Sequence, residues 1–153
     1  MAKKITTLFI RDTSVNLLVM NGRQVKKWAS LPLEPGLISH GLILDEAQVA
    51  QKVRQLFKEA GAQTKKVIVG ISGHDSLYRI ITLPELPEAI IPEAVKREAK
   101  RTIPTPLEEV YYSYQRLPSP TRGESRIFLV TYHRNLVDAM VRTLHQAGVS
   151  PHI

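Results

Sequence analysis

DEAQVAQKVRQLFKEAGAQTKKVIVGI, residues 45–71, is the stretch whose reading decides the fold class. Its apolar residues Val49, Val53, Leu56, Phe57 and Ala60 recur at helical spacing. Asp45 stands where an N-cap belongs, with Gln48 three residues on in capping-box position, and Gly61 stands where a left-handed C-terminal cap is wanted. After Lys65 and Lys66, the run from Val67 to Ile71 is apolar on both parities, which predicts a short strand buried on both faces. A capped helix running directly into such a strand is a crossover unit, and it marks an α/β chain.

Upstream, ITTLFI (residues 5–10) and VNLLVM (15–20) flank the polar stretch from Arg11 to Ser14. A third run, about 24–31, follows Asn21 and Gly22, a dipeptide that suits a two-residue hairpin turn because both residues tolerate positive φ. These runs predict an antiparallel meander. Their faces alternate poorly, so the sheet is expected to be covered on both sides. A connection containing proline and glycine, residues 31–41, leads into the helix.

Downstream, residues 72–75 break the pattern and a second lobe begins. Leu77 to Leu83 reads as a strand, followed by a turn from Pro84 to Pro87 and a helix to about Thr102, with Ile91, Val95, Ala99 and Ile103 on one side. This helix is read over 88–102, and Pro92 is acceptable in it only within the first turn, where its missing N–H would have been unsatisfied anyway. Strands at 110–117 and 126–132 flank a polar loop, and a last helix carries Leu136, Met140, Leu144 and Ala147 before Gly148 and Pro151. The predicted organisation is a first lobe at 1–73 and a strand–helix–strand–strand–helix lobe at 74–153.

The composition excludes several classes. The chain has 153 residues, 43% of them hydrophobic and 23% charged, which is a globular balance. Cysteine is absent, so a disulfide framework, a cysteine-ligated zinc and a cysteine nucleophile are excluded. No run reaches the roughly 18–20 apolar residues of a membrane-spanning helix. Arg11 and Asp12 interrupt the N-terminal apolar run before it could serve as a signal peptide. A soluble, cytoplasmic protein is expected. The formal charge is +7, but the cations fall in scattered pairs and aromatics are only 6%, so no base-stacking platform is visible and nucleic acid is not the expected partner.

No metal-ligand spacing joins the five histidines, and no G-x-S-x-G elbow, Walker loop or G-x-G-x-x-G is present. Two constellations remain. The turn at Asp12, Thr13 and Ser14 offers the hydroxyls of Thr13 and Ser14 and backbone N–H groups, one way to hold a phosphate, although the glycine that would let backbone approach a ligand is missing. Lys96, Arg97, Lys100 and Arg101 share one side of their helix, a face for acidic protein or lipid headgroups or simply a solvated surface.

Four stretches together carry a family resemblance: LPLEPGLISHGLILD (31–45), LP at 83–84 with EAVKREA (93–99), IPTPLEEV (103–110), and NLVDA (135–139) with QAGVSP (146–151). They resemble the PilM family of type IV pilus assembly proteins, relatives of the actin-like cell-division protein FtsA. The resemblance covers nearly the whole chain. It implies a partial actin-like ATPase fold, with a first subdomain carrying the phosphate hairpin and an inserted second one. It also implies a cytoplasmic protein that binds the N-terminal tail of the inner-membrane protein PilN and joins it to the pilus motor ATPase.

Two departures set the functional expectation. Against the family's phosphate motif, D-x-G-S-S-S-V-K, Phe9 stands where the acid belongs and Arg11 where the glycine belongs, with Asp12, Thr13 and Ser14 at the hydroxyl positions. The family also continues into a second half with the other phosphate loop and the adenosine pocket, so this chain reads as the N-terminal half. The expected function is a non-catalytic adaptor without ATP or magnesium. The alternatives are an actin-like ATP-binding protein of a related secretion, competence or cell-division system, and a basic nucleic-acid module. The partner's tail is expected in a cleft between the lobes, lined by Ile71, Ser72, His74, Ser76, Ile103, Pro104, Pro106 and Leu107, because the proline-flanked residues cannot extend a helix and leave apolar surface on a stiff backbone.

Overall fold

A computed structural model of the chain describes residues 4–71 and 76–152. It divides into two compact units, Met1–His74 with Leu136–Ile153, and Asp75–Asn135.

The first unit is built on a four-stranded sheet of order β3-β2-β1-β6. Strands β1 (Lys4–Arg11), β2 (Ser14–Asn21) and β3 (Gln24–Pro32) form the antiparallel meander. A small hairpin, β4 (Ile38–Ser39) and β5 (Leu42–Ile43), interrupts the connection to helix α1 (Glu46–Ala60), and β6 (Ile68–Ile71) then pairs parallel to β1. Helix α1 is capped as its sequence implies. Asp45 accepts from the Gln48 backbone N–H at 2.9 Å, and Gly61 adopts φ 56°. Lys27 adds a cation at the other end, its Nζ donating to the Ala60 carbonyl at 2.6 Å, where the helix dipole is negative.

The hairpin joining β2 to β3 turns at Gly22 and Arg23, one residue later than Asn21 and Gly22, because Asn21 pairs with Gln24 and stays in the ladder. A bulge then lets Val19 face Lys27 while Met20 faces Val25. The extra residue resets the alternation, so Val25 and Trp28 point to the same side of the sheet. That side carries no helix among the described residues: Trp28 is 77% exposed, and Val25, Phe9 and Ile68 are also exposed. The expectation of a sheet covered on both faces is corrected here. Apolar residues do occupy both parities, but α1 packs on the face of Leu8, Ile10, Val15, Leu17 and Val19.

The last helix, α3 (Arg134–Gln146), was expected in the second lobe and instead belongs with the first unit. Its Ala139, Met140 and Leu144 join the core formed by Leu8, Ile10, Val49 and Val53. Arg142 grips the Glu46 carboxylate with two nitrogens (3.1 and 2.7 Å), and Arg54 donates to the Gln146 carbonyl at 2.5 Å. Residues 150–152 then run beside 64–67, with Ser150 N donating to Thr64 O, Val67 N to Ser150 O and His152 N to Val67 O. A four-stranded face is too wide for one helix, and α3 covers the remainder.

The second unit is a three-stranded antiparallel sheet of order β7-β9-β8, made from β7 (Ser76–Pro84), β8 (Val110–Leu117) and β9 (Glu124–His133). Helix α2 (Ile91–Thr102) packs Ile91, Val95 and Ala99 against Ile81, Leu83, Ile127 and Leu129. Pro92 lies in its first turn, as its missing N–H requires.

Two predictions follow from this packing. Leu144, 1% exposed, should cost about 2–5 kcal/mol on change to Ala, read from urea unfolding; a loss within ordinary surface scatter would contradict its place in the first core. The second concerns acid. The Gln48 backbone N–H, then its side-chain amide, holds the Asp45 carboxyl below its ordinary value of 3.8. Its contribution is therefore present above the unfolded-state pKa and lost as the pH falls through the lowered folded-state value. The urea midpoint should fall more steeply below about pH 4 in the parent chain than in Asp45→Asn, which caps without titrating.

Candidate functional site

The turn proposed for phosphate is closed by the pairing of Arg11 with Ser14, which leaves Asp12 and Thr13 at its tip. The Asp12 carboxylate is taken by the protein itself: Oδ2 accepts from His40 N at 2.8 Å and Oδ1 from Gly41 N at 3.0 Å. Those amides belong to the tip of the β4–β5 hairpin, where His40 and Gly41 have φ of 50° and 81°. Positive φ is costly for a non-glycine residue, and two charge-assisted hydrogen bonds offset that cost. Thr13 O accepts from Leu33 N at 2.9 Å, anchoring the same connection. Ser14 Oγ accepts from Asn16 Nδ2 at 3.1 Å, and Asn16 Oδ1 accepts from Ser30 Oγ at 2.8 Å. Asp12 and Ser14 thus serve intramolecular contacts, and the Thr13 side chain is exposed. The sequence reading missed the β4–β5 hairpin; its signal was a His-Gly pair between the apolar pairs Leu37-Ile38 and Leu42-Ile43.

The residues expected to line a tail-binding cleft fall in both units. Ile71 ends β6 and packs against the first core, and Ser76 begins β7. Ser72 and His74 lie outside the described residues. Ile103, Pro104, Pro106 and Leu107 come together around a cavity of about 350 Å³ in the second unit, which Lys100 and Glu108 also line. Proline sets this geometry. Pro104 keeps the preceding Ile103 extended at φ −91°, ψ 125°, ending α2, and Pro106 leads into the 3₁₀ turn Leu107–Glu109. Ile103 is buried in the second core with Leu107 against it, while Pro104 and Pro106 face solvent. The result is a stiff apolar lip with one cation and one carboxylate beside it.

On α2, Arg101 is held by Glu98 at 2.5 Å, which raises its pKa, while Lys96, Arg97 and Lys100 are exposed. The sequence reading also missed two exposed aromatic positions, Trp28 in the first unit and Tyr78 in the second, the latter 6.1 Å from Phe128. Among the described residues no group of three or more His, Asp or Glu could hold a metal ion.

Residues 10–153 match the family model of the type IV pilus assembly protein PilM. The chain belongs to that family. Its whole length is similar to a chain of a solved PilM–PilN type IV pilus biogenesis complex, with a TM-score of 0.87 and 26% identity, covering 47% of that chain. A second solved structure is the cytoplasmic domain of EpsL, an inner-membrane component of the type II secretion system of Vibrio cholerae. There 97% of this chain and 55% of the other superpose with a TM-score of 0.63 at 14% identity, a likeness of fold alone. The chain thus spans about half the length of these solved relatives. The mixed α/β architecture is the partial actin-like fold that the family resemblance implied.

Within this PilM-family chain, Asp12 acts as the clamp on the β4–β5 tip. Asp12→Ala should speed exchange of the His40 and Gly41 amide hydrogens at least tenfold and lower stability by about 1–2 kcal/mol, with Asp12→Asn intermediate. Unchanged exchange at those two amides would refute the clamp.

Proposed function

We propose that this PilM-family chain is a non-catalytic adaptor of type IV pilus assembly. It holds the cytoplasmic tail of a PilN-like inner-membrane protein and lies in the cytoplasm, tethered to the membrane through that partner. The observation that carries the reading is the likeness over the full chain to a protein solved in complex with PilN. The lip at Ile103, Pro104, Pro106 and Leu107 suits an extended peptide. Its backbone is already stiff, so little ordering entropy opposes docking, and the cavity beside it offers room for one side chain of the peptide. Lys100 and Glu108 at the rim give the peptide a direction.

The non-catalytic part of the proposal draws on the hairpin at Asp12. Phe9 stands where the family's acid belongs, the Asp12 carboxylate is engaged by two backbone amides of the chain itself, and no glycine opens the turn to a nucleotide's phosphates. Among the described residues no helix is long and apolar enough to cross a membrane, in keeping with attachment through a partner.

A peptide matching the N-terminal tail of the PilN-like protein from the same organism, titrated into the chain, should shift the backbone amides at Lys100 and at 103–108. Leu107→Asp should weaken binding at least tenfold. Absence of binding, or shifts confined to Lys96 and Arg97, would sink the adaptor site. A one-to-one, magnesium-dependent complex with ATP by calorimetry would overturn the non-catalytic reading.

A further inference from the structure

The end of the first sheet opposite the Asp12 turn holds a cavity of about 570 Å³, with Lys4, Thr6, Thr64, Lys65, Lys66 and His152 among the residues lining it. Four segments meet there. They are the start of β1, the loop between α1 and β6, the start of β6 beside β1, and residues 150–152 hydrogen-bonded to Thr64 and Val67. From Thr6 to Asp12 is six residues of β1, about 20 Å at the rise of a strand, so this place is separate from the hairpin.

Three properties of the cavity point to a ligand. The first is charge. Among the described residues, three lysines and a histidine line it with no acidic side chain, and none of the three ammonium groups has a hydrogen bond or ion pair there. Five carboxylates of the unit are engaged elsewhere: Asp12 by His40 and Gly41, Glu34 by Lys52, Asp45 by Gln48, Glu46 by Arg142 and Glu59 by Gln55. The second is an orphan. Thr6 is only 4% exposed, yet its hydroxyl has no hydrogen-bond partner among the described residues. A buried hydroxyl left unpaired is costly, and an oxygen entering the cavity would satisfy it. The third is strain. Lys66 sits at φ 56°, where glycine or asparagine is the ordinary choice, so a lysine there holds a cation at the rim against its backbone preference.

We propose that this cavity is a binding site for a phosphate monoester. A phosphate presents three oxygens and close to two negative charges, which several cations and two threonine hydroxyls can serve together. A single carboxylate offers two oxygens and would leave part of that donor set idle. The cavity is larger than a bare phosphate needs, and Ile5 and Ile68 provide an apolar wall for whatever carries the group. The same chemistry belongs to a small soluble phosphate ester and to a phosphatidic acid headgroup. The proposal is independent of the tail-binding reading, which concerns the second unit.

The test uses the full chain with two probes, glycerol 3-phosphate in solution and phosphatidylcholine vesicles with or without phosphatidic acid. Saturable amide shifts at Thr6, Thr64, Lys65, Lys66 and His152 with glycerol 3-phosphate would establish the site with a soluble ligand. Co-sedimentation that requires phosphatidic acid would establish it with the headgroup. In either case Lys65→Gln with Lys66→Gln should weaken binding at least tenfold, whereas Lys96→Gln with Arg97→Gln should leave it unchanged. Thr6→Val, which keeps the β-branched shape and removes the hydroxyl, should weaken it severalfold; if that variant does not fold, the lysine pair decides. Lys66→Gly should raise the melting temperature while weakening phosphate, a combination that a purely structural lysine would not produce. Absence of saturable binding to both probes overturns the proposal. So does equal affinity for polyglutamate, or equal loss on removing the α2 cations, because either outcome describes a basic surface and not a site.

Discussion

The burial of α3 against the first sheet is the contact on which the rest of the structure depends. The chain leaves the first unit after β6, builds a complete second unit, and returns only because Ala139, Met140 and Leu144 find the core that Leu8, Ile10, Val49 and Val53 have left open. Each large side chain so buried contributes roughly 1.5–3 kcal/mol of hydrophobic stabilisation. The Arg142–Glu46 pair orients the helix more than it holds it, since both partners are partly in water. The return has two consequences: the second unit becomes an insertion whose ends are both tied to the first, and residues 150–152 are laid against 64–67 to form one wall of the basic cavity.

The first sheet shows how local irregularities aim side chains. The bulge in β3 keeps Lys27 on the core side, where its amine reaches the last carbonyl of α1, while Val25 and Trp28 face outward. At the opposite end of β1, Asp12 draws in two amides from a hairpin tip held at positive φ. That use explains why an aspartate sits in a turn that looks, from composition, ready for an anion. An acid committed to donors of its own chain repels the ligand the turn would otherwise attract.

In the second unit, proline does the shaping. Pro92 starts α2, Pro104 ends it, and Pro106 opens the following 3₁₀ turn, so Ile103 and Leu107 pack inward while Pro104 and Pro106 face solvent on a backbone with little freedom left to lose. The exposed prolines of this surface are apolar and conformationally fixed, and Lys100 and Glu108 beside them add one charge of each sign.

The sequence by itself determined what depends on neighbours along the chain. The helix from 46 to 60 with its caps at Asp45 and Gly61, the apolar strand before residue 72, the position of Pro92 and the end of α2 at Pro104 all follow from spacing and backbone chemistry within a few residues. The motif strings around 31–45 and 103–110 carried the family as well. What only the tertiary structure decided were the choices among distant partners. The stripe of α3 says that one face is buried but not in which core, because a helical period carries no address. The apolar parities of β1 to β3 could not reveal that one sheet face carries no helix among the described residues. Lysines 4, 65 and 66 read as scattered pairs in the sequence, and the parallel pairing of β6 with β1 gathers them around one cavity. Asp12 and His40, 28 positions apart, meet because the two hairpins fold onto each other, and local sequence has no means of encoding such a pairing.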